Sequence, residues 1–236
     1  MTTLTGDEKA RYVRAMFGRI AGRYDTMNRI MTGFRDQSWR RLAVSEVAPP
    51  PGGVILDVGT GTGDFLPLLA HAAPGVSAVG VDLTFEMMAY GSPKLAEANG
   101  RAAFVQGDAL RLPFPDDTFD GLVNGFLLRN VADLRQTLAE MRRVIKPGAR
   151  VVILEITPVN TPLWGDLFRF YFYRIVPRIG GVIAGAPDAY SYLPASVDRF
   201  VDADTLQREM EAVGLRHVQY TKLMLNTVAL HIGEKA

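Results

Sequence analysis

Between residues 54 and 155 short apolar runs alternate with segments whose apolar positions recur every three or four residues. The first run, Val54-Ile-Leu-Asp-Val58, enters a glycine turn, and 64–72 then reads as a helix. Val76 to Asp82 reads as a second strand, and 84–98 as a helix with Thr84 as its N-cap. Ala102 to Gln106 and Phe119 to Asn124 read as strands three and four. Asp133 caps a helix whose Leu134, Leu138, Met141 and Ile145 share a face, and Pro147-Gly148 stops it. Arg150 to Glu155 reads as a fifth strand. Such alternation implies a parallel sheet covered by helices on both faces.

The flanks follow other patterns. Val13, Phe17, Ile20, Tyr24, Met27 and Met31 predict a helix over 8–31, with Gly18 and Gly22 predicting two pieces or a bend. Residues 157–200 interrupt the alternation and are rich in aromatics, among them Trp164, Phe168 and 170–173. A helix over 203–213 and strands at His217–Leu223 and Thr227–Ile232 complete the chain. The expected organisation is a helical arm, 1–48, and an α/β domain, 49–236, carrying the insertion 157–200. There is no internal repeat.

Composition narrows the function. Of 236 residues, 48% are hydrophobic and 22% charged, ample for one large core and against a disordered chain. Cysteine is absent, which excludes disulfides, thiolate catalysis and cysteine-ligated zinc, and fits a reducing compartment. The net charge of +1 gives no case for nucleic acid. Residues 1–41, however, hold nine Lys/Arg against four Asp/Glu, a basic arm suited to an anionic surface or to a solvated helix face. The opening MTTLTGDEKA is polar and carries no secretory-signal pattern. The apolar stretch 163–186 contains Asp166, Arg169, Arg174 and Arg178, which argues against a spanning helix. His71, His217 and His231 are scattered, so no metal site is expected.

Three strand ends carry the chemistry. After strand one comes Asp57-Val-Gly59-Thr60-Gly61-Thr62-Gly63-Asp64, whose glycines permit a sharp turn and close approach of a ligand to backbone. The spacing is G-x-G-x-G rather than the phosphate-gripping G-x-G-x-x-G, and Asp64 would repel a pyrophosphate. Asp82, closing strand two, has two acceptor oxygens for the hydroxyls of a ribose. Asp108, after strand three, can accept the exocyclic amine of adenine. A turn or capping role is the plainer reading of each acid. Beyond strand four, Arg129 and Asn130 follow an apolar run where burial without partners is costly, which favours a site role.

Together these motifs resemble the class I methyltransferases that use S-adenosylmethionine. The resemblance implies a Rossmann-like α/β fold, a seven-stranded, mostly parallel sheet with an antiparallel last strand. A narrower resemblance spans nearly the whole chain. Tyr24-Asp25-Thr-Met27-Asn28-Arg-Ile-Met31 through Trp39 is similar to the first signature of the ubiquinone/menaquinone biosynthesis C-methyltransferases. Leu127-Leu128-Arg129-Asn130-Val131 is similar to their active-site loop, and Arg143 to Gly148 through Ile153-Leu-Glu155 to their second signature. Tyr190-Ser-Tyr192-Leu-Pro-Ala-Ser196 and Val228-Ala-Leu-His231 match as well. Four positions depart: Asp36 stands where His is usual, Leu127 and Ala149 where Gly is usual, and Thr157 where Ser is usual.

The resemblance implies C-methylation of an isoprenoid hydroquinone, demethylmenaquinol first. Alternatives are another small phenolic or carboxylic substrate, and, more distantly, a nicotinamide-dependent oxidoreductase. It implies cofactor contacts from Asp57, Gly59, Thr60, Gly61, Thr62, Gly63, Asp82, Leu83, Asp108, Ala109, Asn124 and Gly125. It implies substrate contacts from Tyr24, Asp25, Asn28 and Phe126, and catalytic roles for Arg129, Asn130, Asp36, Tyr190 and Tyr192. Arg129 would stabilise a quinol oxyanion; Asp36, desolvated by ring and tail, would act as a base, or, held in its charged form by Arg35 or Arg40, would be structural. The arm and the insertion are expected to rest on the membrane, at the inner face of the cell membrane on the cytoplasmic side. Homo-oligomerisation stays open.

Overall fold

A computed structural model describes residues 6–158, 170–176, 178 and 187–236, without the side chains of Asp7 and 187–191. Seven strands form one sheet: β1 (Val54–Val58), β2 (Ser77–Asp82), β3 (Ala102–Gln106), β4 (Gly121–Gly125), β5 (Arg150–Ile156), β6 (Leu215–Leu223) and β7 (Val228–Lys235). Their spatial order is β3-β2-β1-β4-β5-β7-β6. β7 runs antiparallel to both β5 and β6, and the β1–β5 pairings are parallel. The order reverses between β1 and β4, so the carboxyl ends of these strands open the crevice in which ligands bind in such sheets.

The period of two along β1 explains the layers. Ile55 joins one core with Val123, Val152 and Leu154, while Leu56 and Val58 join the other with Leu122, Val151 and Ile153. Helix α2 (Asp36–Val47) covers the first face with Trp39, Ala43, Val44 and Val47, beside α3 (Leu66–Ala70). Helix α5 (Leu134–Val144) covers the second with Leu138 and Met141; there α7 (Ala203–Ala212) adds Leu206 and Met210. The Asp133 carboxylate accepts the Gln136 N–H at 3.0 Å, the N-cap that the sequence predicts.

A third, smaller core lies over the carboxyl edge. Met16, Ile20 and Met27 of α1 (Gly6–Met31) pack there on Phe172, Val176, Tyr192 and Val197. Phe172 belongs to a single π turn, Tyr171–Ile175, and Tyr192 and Val197 to α6 (Pro187–Asp198). The two pieces predicted around Gly18 and Gly22 do not occur: α1 is one continuous helix of 26 residues. These glycines serve approach instead. A β-carbon on Gly22 would sit 3.4 Å from the Tyr90 ring, and one on Gly18 3.6 Å from Glu86. Both neighbours lie on or beside α4 (Phe85–Gly91), so the glycines bring α1 close to it. Trp164 and Phe168 of the aromatic run lie outside the described residues.

Candidate active site

The glycine turn places three residues at φ of 71°, 56° and 79°, Gly59, Gly61 and Gly63, a region that side chains disfavour. A β-carbon on Gly59 would also fall 2.8 Å from Leu127, so the Leu at this departing position packs on the turn itself. Gly59 and Gly61 then face a cavity whose other walls are Asp82, Leu83, Asp108, Ala109, Gly125 and Phe126. Its roof is α1, through Ala10, Val13, Arg14 and Phe17, none of which the motifs single out.

The acids in this cavity are held by backbone. Asp82 accepts the Gly61 N–H at 2.9 Å on one oxygen and the Thr84 N–H at 2.8 Å on the other. Burial raises its pKa against the pull of these N–H groups. As part of the cavity wall, this carboxylate is an acceptor for a ligand hydroxyl. Asp108 accepts the Leu110 N–H at 2.9 Å. Among the described residues, Arg14 alone of this lining is basic, which suits an adenosine ligand without phosphates.

Asp57, Thr60, Thr62, Gly63 and Asn124 support this cavity from behind rather than line it. Asp57 accepts the Thr60 hydroxyl at 2.6 Å, and burial pushes its carboxyl up to about 7 against the opposing Thr60 bond and Arg40 charge. Asn124 donates to the Val58 carbonyl at 2.6 Å. Asp25, expected at the substrate, is turned to the glycine loop instead. It accepts the Thr62 hydroxyl and the Lys94 ammonium, each at 2.6 Å. Lys94 also pairs with Asp64, whose second oxygen lies 3.7 Å from Arg40 Nε. Burial raises the Asp64 carboxyl, but Arg40 and Lys94 outweigh it and the net shift is downward. This partly buried cluster fastens α1 and α2 to the loop, and no periodicity in the sequence marks Lys94 for it.

Two further cavities continue from the first. The middle cavity shares Phe17, Tyr24 and Asn130 with it and adds Asn28, Arg129 and Tyr192. Here polar groups lack partners: Arg129 Nε, Asn130 Oδ1 and the Tyr192 hydroxyl are buried without a hydrogen bond. Burial raises the Tyr192 and Tyr24 phenols, each opposed by the nearby Arg129 charge. The distal cavity shares Tyr24, Asn28 and Arg129 with the middle one and is walled by Met31, Trp39, Ile156, Tyr171, Phe172 and Val228. Tyr24 lines all three.

Arg129 is not a free cation. Its guanidinium donates from one nitrogen to Glu155 at 2.6 Å and to the Phe126 carbonyl at 2.7 Å. Glu155 is 1% exposed at the end of β5 and accepts its own successor's N–H at 2.9 Å. A charge closing an otherwise apolar strand was the visible signal for this partner. Lys9, near the start of α1, donates to the carbonyls of Arg129 and Val131 at 3.1 and 2.7 Å, which fixes the active-site turn from above. Asp36 faces the distal cavity, where its carboxylate meets the Thr32 hydroxyl at 3.2 Å and the Gln37 amide at 3.3 Å. Tyr190 lies in α6, its side chain outside the described residues.

Strand order, glycine turn and ribose-type carboxylate define a class I methyltransferase, and this cavity's residues fit S-adenosylmethionine. An S-adenosylmethionine-dependent methyltransferase of Thermotoga maritima shares the fold at a TM-score of 0.65 and 17% identity, covering 94% of this chain and 99% of that one. One from Aquifex aeolicus matches at 0.63 and 17%, over 90% of this chain and 98% of that one. The sequence profile of the ubiE/COQ5 methyltransferase family matches residues 4–235, and the chain belongs to that family. The demethylmenaquinone methyltransferase of Roseiflexus castenholzii is 47% identical over 97% of this chain and 95% of its own. The ubiquinone/menaquinone biosynthesis C-methyltransferase UbiE of Geotalea daltonii is 41% identical over 97% of this chain and 98% of its own.

Proposed function

We propose that the protein methylates a ring carbon of a demethylmenaquinol, with the cofactor in the first cavity, the ring in the middle one and the isoprenoid tail in the distal one. Membership of the ubiE/COQ5 family makes it an S-adenosylmethionine-dependent C-methyltransferase of quinone biosynthesis. The choice of quinol, its redox state and the residue roles are our reading. The observation that carries them is the continuity of three cavities through Tyr24: a first with glycine backbone and the Asp82 and Asp108 carboxylates in its wall, a middle one with buried unpaired polar groups, and a distal one with the most apolar lining.

S-adenosylmethionine supplies a methyl already electrophilic on its sulfonium. The chain's task is then to align a carbon nucleophile and exclude water. Asn130 Oδ1 accepts from a quinol hydroxyl, and Tyr192 and Arg129 Nε donate to the ring oxygen that becomes anionic. A ring carbon beside that oxygen, whose hydroxyl proton has passed to solvent, gains electron density and forms the new carbon–carbon bond as the methyl–sulfonium bond breaks; the proton on that carbon then passes to solvent and the ring regains its aromaticity. Glu155 neutralises part of the Arg129 charge but holds the side chain at the cavity, so little reorganisation is needed when the oxyanion forms. Tyr24, at the junction, separates cofactor from tail. Asp36 sits on the tail side with Thr32, away from the first two cavities.

The test is product mass after incubation with S-adenosylmethionine and each of three acceptors: demethylmenaquinol, the reduced ubiquinone precursor and a tail-less phenol. One added carbon-bound methyl on demethylmenaquinol, with slower turnover of the others, is expected. Preference for the phenol would reject the quinol assignment.

A further inference from the structure

Three segments far apart in sequence each build the wall of the distal cavity and display an apolar side chain outside it. The turn between α1 and α2 gives Met31 and Thr32 to the wall and leaves Phe34 69% exposed. The π turn gives Tyr171 and Phe172 and is preceded by Phe170, 58% exposed. The β6–β7 turn gives Met224 and Thr227 and leaves Leu225 63% exposed. Met224 is both wall and surface, so the cavity reaches the outside at this rim. Folding alone turns such side chains inward, and several around one opening mark a contact surface.

The backbone at the third segment is a separate observation. Met224, Leu225 and Asn226 lie consecutively at φ of 44°, 54° and 68°. Residues with a β-carbon avoid this region, and Gly is the usual occupant. A strained turn that holds Leu225 out in water works against stability and points to use of that side chain. Charge completes the pattern. Arg35, Arg174, Arg178 and Lys222 in or beside these segments are all exposed; of the acids near them among the described residues, Asp36 is buried, and Asp198 is exposed and accepts the Tyr173 hydroxyl.

We propose that this rim, Phe34, Phe170 and Leu225 backed by Arg35, Arg174 and Lys222, docks the protein on an anionic bilayer, and that the distal cavity takes the substrate's tail from it. Apolar side chains enter the acyl boundary while the cations meet headgroup phosphates. Among the described residues no helix is long and apolar enough to cross a membrane, so this contact lies in the interface plane. It differs from docking through the whole basic arm: Lys9 is spent on carbonyls, and Arg40 is buried over the Phe65 ring at 4.8 Å. The assignment of the tail rests on the quinol reading; the docking surface does not.

The test uses the full chain, a Phe34→Asp/Leu225→Asp variant and phosphatidylcholine vesicles with or without phosphatidylglycerol. Neither residue lines a cavity, and a thermal melt checks that the variant folds. Wild type is expected to sediment with the anionic vesicles and to be released by salt, and the variant to bind about tenfold or more weakly. Turnover of long-tailed quinol in those vesicles should fall with binding, while a tail-less naphthohydroquinone in solution is methylated equally by both. Equal vesicle binding by variant and wild type would overturn the rim. Absence of wild-type binding at low salt would also overturn it, leaving the rim to a protein partner. Failure to methylate either quinol would overturn the quinol reading alone and leave the vesicle result standing.

Discussion

The first and middle cavities meet at Tyr24 and Asn130 yet are built on opposite plans. In the first, Asp82 and Asp108 are already held by backbone N–H groups and wait in one conformation. In the middle, Arg129 Nε, Asn130 Oδ1 and the Tyr192 hydroxyl are buried with no partner. An unpaired buried polar group costs about 1–3 kcal/mol, and the middle cavity gathers Arg129 Nε and the Tyr192 hydroxyl beside Asn130, which also lines the first; behind the first, Asp57 Oδ1 and Asn124 Oδ1 are unpaired as well. On the proposed reading, the difference separates a site that binds one constant ligand from a site whose polar groups are satisfied when the ring arrives. Loss of a group should therefore cost affinity in the first cavity and rate in the middle one.

Removing the charge in the middle cavity tests this most severely. Arg129→Ala is expected to lower kcat by about 10²–10³, with S-adenosylmethionine affinity unchanged. It also leaves Glu155 buried without its cation, at a cost of about 3–5 kcal/mol in stability. Denaturant titration reads that part, and calorimetry plus kinetics on the folded variant reads the rest. A kcat equal to wild type would remove Arg129 from the reaction.

Asp82→Asn is the mirror case. It should weaken S-adenosylmethionine by about 1.5–3 kcal/mol, the value of a hydrogen bond to a charged group, and leave kcat at saturation nearly unchanged. Calorimetry showing wild-type affinity would place the ribose elsewhere.

The supporting layer has a pH signature. Asp57, raised from 3.8 to about 7, keeps in the folded state a proton that the unfolded chain has lost. Its contribution is present at acid pH and lost as pH rises to about 7. His231 is buried on β7 itself with its ring on the Ala203 carbonyl, and burial lowers it from 6.5 to about 4. Its contribution runs the other way, present above 6.5 and lost as pH falls to about 4. Each slope approaches about 1.4 kcal/mol per pH unit, so the two oppose one another between pH 4 and 6.5. Urea titrations of cofactor-free protein should show stability falling with pH in His231→Asn and rising with pH in Asp57→Asn. Parallel pH curves in both variants would contradict the paired assignment.

The smallest effect isolates the unpaired groups. Tyr192→Phe removes a hydroxyl with no hydrogen-bond partner among the described residues, so stability should hold or rise. Turnover should fall by the worth of one hydrogen bond, about 0.5–1.5 kcal/mol. Loss of stability with unchanged kcat would make the hydroxyl structural.

The same contrast sets what the sequence discloses. Strands β1 to β5 stand within two residues of their expected ends, because a sheet covered on both faces needs continuous apolar runs. Asp82, Asp108 and the glycines are legible because strand ends and tight turns restrict residue type locally. The arm is less so. Gly18 and Gly22 read as breaks but serve contact with α4, and Asp25 reads as a substrate ligand but pairs with Lys94, 69 residues away. Such partners depend on tertiary placement that no local spacing encodes. Glu155 lay within a matched motif, yet its pairing with Arg129 across 26 residues appears only in three dimensions.

In the proposed reaction the middle cavity stabilises an electron-rich, deprotonating quinol ring for carbon attack. The most direct measurement is anaerobic turnover of demethylmenaquinone in its reduced and oxidised forms, with labelled methyl and product analysis by mass and NMR. The account predicts a ring-carbon methyl from the reduced form and no product from the oxidised one. Equal turnover of both forms, or a methyl found on oxygen, would contradict it.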